Sequence, residues 1–123
     1  MNKYAGTEKD IHLRIHNFVI RCFIDIVKRI PKSTENIVII RQLTASLTSI
    51  GANDQEADAC NSNKDFVSKY NIVKKETKET KYWLTFIRDT SILEAKLVDP
   101  FISESQEILL IVSKIIQNSK LSS

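Results

Sequence analysis

At 123 residues the chain is long enough to bury a core, and two glycines and two prolines are too few for a β-sandwich or barrel, which needs turn chemistry roughly every 8–12 residues. Its 18 basic and 15 acidic residues are interspersed and leave a net charge of +3, so charge alone selects no partner. Two histidines, one methionine, one tryptophan and two cysteines leave little for a metal or catalytic constellation.

The opening "MNKYAGTEKD" lacks the apolar stretch of a secretory signal, and no apolar run approaches the roughly 18 residues of a membrane span. A cytoplasmic protein with no membrane contact is expected. Cys22 and Cys60 sit in apolar or small-residue patterns, where cysteine acts as a small hydrophobe.

The first periodic segment, about residues 10–30, carries Ile11, Ile15, Phe18, Val19, Cys22, Phe23, Ile26, Val27 and Ile30 at three- and four-residue steps. Asp10 is expected to cap it and Pro31 to end it. The second helix, about 34–60, starts at a Ser33 or Thr34 cap and carries a seam of Ile40, Leu43, Leu47 and Ile50, with Asp54 and Ala57 in phase. The third, about 62–89, opens on Ser62 and Asp65 in capping-box spacing, with the seam Phe66, Tyr70, Val73, Thr77, Thr80, Leu84 and Ile87. Residues 90–98 are expected to connect, with at most one helical turn packing Leu93 and Leu97. The fourth helix, about 99–118, is expected to start at Asp99 and Pro100 and to bury Phe101, Ile102, Ile108, Leu109, Val112, Ile115 and Ile116. These segments predict an all-α fold, an antiparallel up-down-up-down four-helix bundle forming one domain across 1–123.

The run "LTSIGANDQEADACNSNKDFVSKYNIVKKETKETKYWLTFI" carries a resemblance in its "SIGAN", "KDF" and "KETKETKYWL" segments. It is similar to the four-helix-bundle proteins of the bacterial 23S rRNA intervening-sequence family, with a looser fit over residues 10 to 118. The resemblance implies a left-handed bundle. By way of relatives that include the accessory protein of diversity-generating retroelements, it also implies a homopentameric ring. That accessory protein associates with a reverse transcriptase and with nucleic acid. Asp54 departs from the pattern, standing where many relatives carry an apolar residue, usually isoleucine.

Several groups of residues invite a function. Ser46, Ser49, Gly51, Ala52 and Asn53 keep the second helix slim on the side away from its seam, which suits either close packing within the chain or a subunit interface. Ser46, Ser49, Gly51, Asn53 and Trp83 are the candidate interface residues, although a tryptophan at this spacing also suits the core. Gly51 in a helix interior costs about 0.5–1 kcal/mol relative to alanine, so close packing or a bend should make use of it. Asn53, Asp54, Glu56 and Asp58 form a polar cluster, expected as a solvated helix end or a salt-bridged interface, because Glu56 cannot share a face with Asp54 and Asp58. His12 and His16 are one turn apart and are expected as a surface or end-packing pair, since neither HExxH nor Glu-x-x-His occurs.

Lys69, Lys74, Lys75, Lys78 and Lys81 alternate with Glu76 and Glu79 along the third helix, with weak ion pairs such as Lys75 to Glu79 expected. Repeated in a ring, such a helix multiplies a modest charge into a polyanion site. The candidate nucleic-acid ligands are Arg41, Lys74, Lys75, Lys78, Lys81 and Arg88. No activated nucleophile or phosphate-binding glycine loop is present, so a protein that is not an enzyme and uses no cofactor or metal is expected. The leading expectation is a homo-oligomer, pentameric by resemblance, that binds RNA or a nucleic-acid-processing protein. The alternative is a protein-interaction scaffold without nucleic-acid affinity.

Overall fold

The computed structural model describes residues 8–121, which form four α-helices packed as an all-α bundle. These are α1 (Glu8–Asp25), α2 (Thr34–Asp58), α3 (Asn63–Asp89) and α4 (Ala95–Leu121). Ser46 meets Thr80, Asp54 meets Tyr70 and Glu56 meets Lys69, so α2 and α3 run in opposite directions. Lys81 to Gln106 and Arg88 to Asp99 give the same sense for α3 and α4. Arg14 to Glu104 and Phe18 beside Phe101 set α1 antiparallel to α4, which closes the bundle.

Helix α1 buries Ile11, Ile15, Phe18 and Cys22, a stripe at the helical repeat that Ile26 continues just past its end. It begins at Glu8, which places Asp10 inside the first turn rather than before it. The α-helical part ends earlier than the periodicity suggests. Ile30 precedes Pro31 and is forced to extended backbone (φ −66°, ψ 123°), and Val27–Arg29 tighten into a 3-10 turn ahead of it. Val27 and Ile30 stay buried, so the apolar repeat survives the change of helix type.

The Ser33 hydroxyl caps α2 by accepting the Asn36 N–H at 3.1 Å, and Ser62 caps α3 by accepting the Asp65 N–H at 3.1 Å. All seven residues of the α3 seam, from Phe66 to Ile87, are buried as expected. In α2 the first seam position belongs to Ile39 rather than Ile40, which is only half-buried.

The end of α3 carries no glycine, yet it closes as a Schellman motif. The Ile92 N–H reaches the Ile87 carbonyl and the Ser91 N–H reaches the Arg88 carbonyl, each at 3.0 Å. Ser91 supplies the left-handed residue at φ 60°. The chain turns early, and α4 starts at Ala95 instead of at Asp99. Burial of Val98 rewards the extra turn, and the carbonyl of Glu94 accepts the first backbone bonds from Leu97 and Val98. Pro100 therefore sits inside the helix, where it cannot donate to the Lys96 carbonyl. Helix α4 buries Val98, Ile108, Val112 and Ile116 together with a serine, Ser105, whose hydroxyl donates to the Ile102 carbonyl at 2.7 Å.

Replacing Ser91 with glycine removes the steric cost of a left-handed backbone at a non-glycine residue. Ser91→Gly should stabilise the fold by about 0.5–1 kcal/mol, read as a raised urea midpoint at unchanged slope. A lowered midpoint would contradict the assignment of Ser91 to the left-handed cap.

Candidate nucleic-acid interface and subunit face

Helix geometry sorts the basic residues. At 3.6 residues per turn, Lys74, Lys78, Lys81 and Arg88 fall within an arc of about 80° on α3, and Lys75 lies about 60° further round toward solvent. The arc is the flank beside α4, because Lys81 Nζ donates to Gln106 Oε1 at 2.6 Å and Arg88 reaches Asp99 at 3.2 Å. Lys81 keeps its charge uncompensated, since its partner is a neutral amide. Arg88 differs: it donates to Asp89 at 2.9 Å and to Asp99, and those carboxylates hold the guanidinium more firmly charged and already paired. Arg41 lies exposed on α2, two residues before buried Leu43 and so turned to solvent on another helix. Among the described residues Arg41, Lys74, Lys75, Lys78 and Lys81 enter no ion pair. The pairs expected along α3 itself do not form, and Lys69 instead crosses to Glu56 of α2 at 2.7 Å.

Of the slim stretch of α2, Ser46 faces inward, Ser49, Gly51 and Asn53 are half-buried, and Ala52 is exposed. Ser46 is buried, its hydroxyl within 2.8 Å of Thr80 Oγ1 and 3.2 Å of the Leu43 carbonyl, so it packs α2 against α3 and offers no surface to a second copy. Ser49 and Asn53 follow on the same flank, half-buried, with Asn53 Nδ2 donating to the Ser49 carbonyl at 2.9 Å and to its hydroxyl at 3.0 Å. Gly51 turns to α1: a Cβ built there would lie 3.6 Å from Val19 Cγ2, an ordinary contact. A narrow groove of about 170 Å³ opens beside it, lined by Ile15, His16, Val19, Ala52 and Gln55 among others. Trp83 is half-buried against the core, with its indole N–H 3.3 Å from Glu79.

The polar cluster also separates. Asp54 is 1% exposed, and its Oδ1 accepts the Tyr70 hydroxyl at 2.6 Å and lies 2.7 Å from His12 Nδ1. His12 Nε2 stands 3.2 Å from Asp58 Oδ1 as an ion-pair contact. One buried carboxylate thus joins α1, α2 and α3, and with the His12–Asp58 and Lys69–Glu56 contacts the cluster takes the salt-bridged form of the two expected rather than the solvated helix end. His16 is exposed on α1, so the two histidines do not act as a pair. Among the described residues, no group of three or more His, Cys, Asp or Glu could hold a metal ion. Cys22 is buried, and desolvation with a smaller effect from Asp25 pushes its thiol up to about 12, so it is inert filling.

Two features lie outside what the sequence pattern predicts. The hydroxyl of the seam residue Tyr70 finds its partner in Asp54, whose place in the seam phase of α2 is the one sequence signal for it. Leu13, Ile20 and Ile24 form an exposed apolar stripe on α1 with Phe23 beside it, and Ile37 and Val38 add exposed apolar area at the start of α2. Their seven- and four-residue steps lie off the core phase.

The geometry defines a four-helix bundle whose polar interior is committed to its own packing and whose α3 carries seven of the 18 basic residues. A family model described as 23S rRNA-intervening sequence protein matches residues 8–114, and the chain belongs to that family. A crystal structure of a protein with unknown function from the S23 ribosomal protein family of Bacteroides thetaiotaomicron VPI-5482 is similar to it at TM-score 0.80 and 30% identity, covering 89% of this chain and 97% of that one. No curated protein matches the chain. Among the described residues, no helix is long and apolar enough to cross a membrane.

Because Val19 would meet a methyl at Gly51 without displacement, packing within the chain does not require glycine there. Gly51→Ala should raise stability by about 0.5–1 kcal/mol in urea denaturation. Destabilisation, or a loss of mass in light scattering, would show that a neighbour outside this chain uses the notch.

Proposed function

We propose that this chain is the non-enzymatic subunit of a cytoplasmic homo-oligomer, pentameric in line with its family, that binds RNA or a nucleoprotein partner through α3. The observation that carries the reading is the clustering of Lys74, Lys78 and Lys81 on one flank of a single helix, with Lys75 adjacent and none of them in an ion pair among the described residues. Repetition of that flank around a symmetric assembly would raise the local positive potential well beyond a net charge of +3 per chain. Arg41 joins the reading only as an outlying contact, and Arg88 only if it exchanges its carboxylates for phosphate.

Self-association draws support from the outer face of α1, where Leu13 is 62%, Ile20 43% and Ile24 46% exposed. That stripe replaces Ser46 as the surface best suited to a second copy. It also favours the second reading, a scaffold whose charges only keep the assembly soluble.

A salt titration separates the two. Contacts from Lys74, Lys75, Lys78 and Lys81 should give a slope near −3 in log affinity against log salt. Binding of a labelled single-stranded RNA should weaken on the order of 50-fold between about 50 and 200 mM salt. Failure to retain RNA or DNA at low salt would overturn the nucleic-acid reading. Light scattering that reports a single chain of 14.1 kDa would overturn the assembly.

A further inference from the structure

We infer that the nucleic acid bound by α3 is single-stranded and that Tyr82 stacks on one of its bases. The inference rests on the proposed nucleic-acid role and adds the strand type and the recognising residue. Tyr82 is 58% exposed, an unusual position for a large aromatic ring on a helix whose buried face is already complete. Its ring is held in place by neighbours: Trp83 meets it edge-on at 5.0 Å and 72°, and Phe86 lies 6.3 Å away at 46°. Trp83 and Phe86 in turn contact each other at 5.9 Å. The result is a braced aromatic ledge open to solvent, not a side chain free to fold back.

The charges around the ledge favour a polyanion. Lys78 and Lys75 precede Tyr82 by one and two helical turns on neighbouring faces, about 6 and 10 Å along the axis. Both are exposed. Of the acidic neighbours, Asp89 is paired with Arg88 at 2.9 Å, while Glu79 keeps its charge and is bonded to the neutral Trp83 indole at 3.3 Å, outnumbered by the two lysines. An aromatic face next to a track of cations is how single strands are held without sequence reading: bases stack on the ring while phosphates meet the lysines. A duplex offers no such contact along its length, because its base faces are stacked on one another and only its edges and backbone are presented.

The test uses the full chain with a labelled single-stranded RNA and a duplex of the same sequence, followed by anisotropy at low salt. Tyr82→Ala should weaken single-strand binding roughly 5- to 150-fold. It should also leave the salt slope and the duplex affinity near wild type, while Tyr82→Phe keeps wild-type binding. Trp83, the one tryptophan, should report the stacked base as a change in fluorescence that Tyr82→Ala abolishes. Equal affinity for duplex and single strand, or unaltered single-strand binding by Tyr82→Ala, would overturn the inference and leave the phosphate-contact reading standing. A drop in oligomer mass on Tyr82→Ala would assign the ring to a subunit contact and also overturn it. Absence of binding to either nucleic acid would sink both this inference and the role on which it rests.

Discussion

A buried carboxylate sets the terms for the rest of this bundle. Taking Asp54 out of water is costly unless its charge is met by donors, and the Tyr70 hydroxyl at 2.6 Å and His12 Nδ1 at 2.7 Å are those donors. Because both bonds converge on a single oxygen, α2 can sit against α3 and α1 in one register only; a slip of one turn would strand the charge. Apolar seams alone tolerate such slips, since Ile and Leu meet much the same neighbours a turn away. The ion-pair contact from His12 to Asp58 extends the same constraint along α2. Further along, the paired hydroxyls of Ser46 and Thr80 pin α2 to α3 a second time. Asp54 with Tyr70, and Ser46 with Thr80, are buried polar groups that each meet a specific partner on the facing helix, which converts a generic four-helix pattern into one arrangement.

That arrangement leaves α3 with divided duties. Its seam fills the core from Phe66 to Ile87, its α2 flank supplies Lys69 to Glu56, and its α4 flank carries the lysines. Helix α1 is the counterpart, packed less extensively on α2 and α4 than α3 is, and carrying the largest share of exposed apolar residues. A helix with core on one side and an apolar stripe on the other is poised to be covered. The two surfaces lie on different helices, so the proposed assembly through α1 and the proposed binding through α3 need not compete.

How much of this was legible depended on whether a feature is local. The α3 seam could be read residue by residue because its period is unbroken, and the Ser33 and Ser62 caps because capping acts within one turn. The start of α4 was misplaced because Asp99 and Pro100 are a strong local start signal that burial of Val98 overrides. The end of α3 hid its mechanism because serine occupies the left-handed position where glycine is the usual marker. At the site, the lysines of α3 were visible as a charge pattern, yet their sorting into a flank beside α4 needed the neighbouring helix. The small residues of α2 pointed to close approach. Only the fold shows that Ser46 looks to α3 and Gly51 to α1. Asp54 was in phase with the seam, but its partners lie 42 residues before it and 16 after, beyond any local pattern.

Tyr70 and Asp54 form a specific, coupled pair across two helices. A double-mutant cycle of Asp54→Ala and Tyr70→Phe in urea denaturation measures that coupling without the cost of cavity and charge removal that each single change carries. A coupling of about 1.5–3 kcal/mol is predicted, the range for a hydrogen bond to a charged group. Additive single effects, with a coupling below about 0.5 kcal/mol, would contradict the claim that this bond sets the register of the bundle.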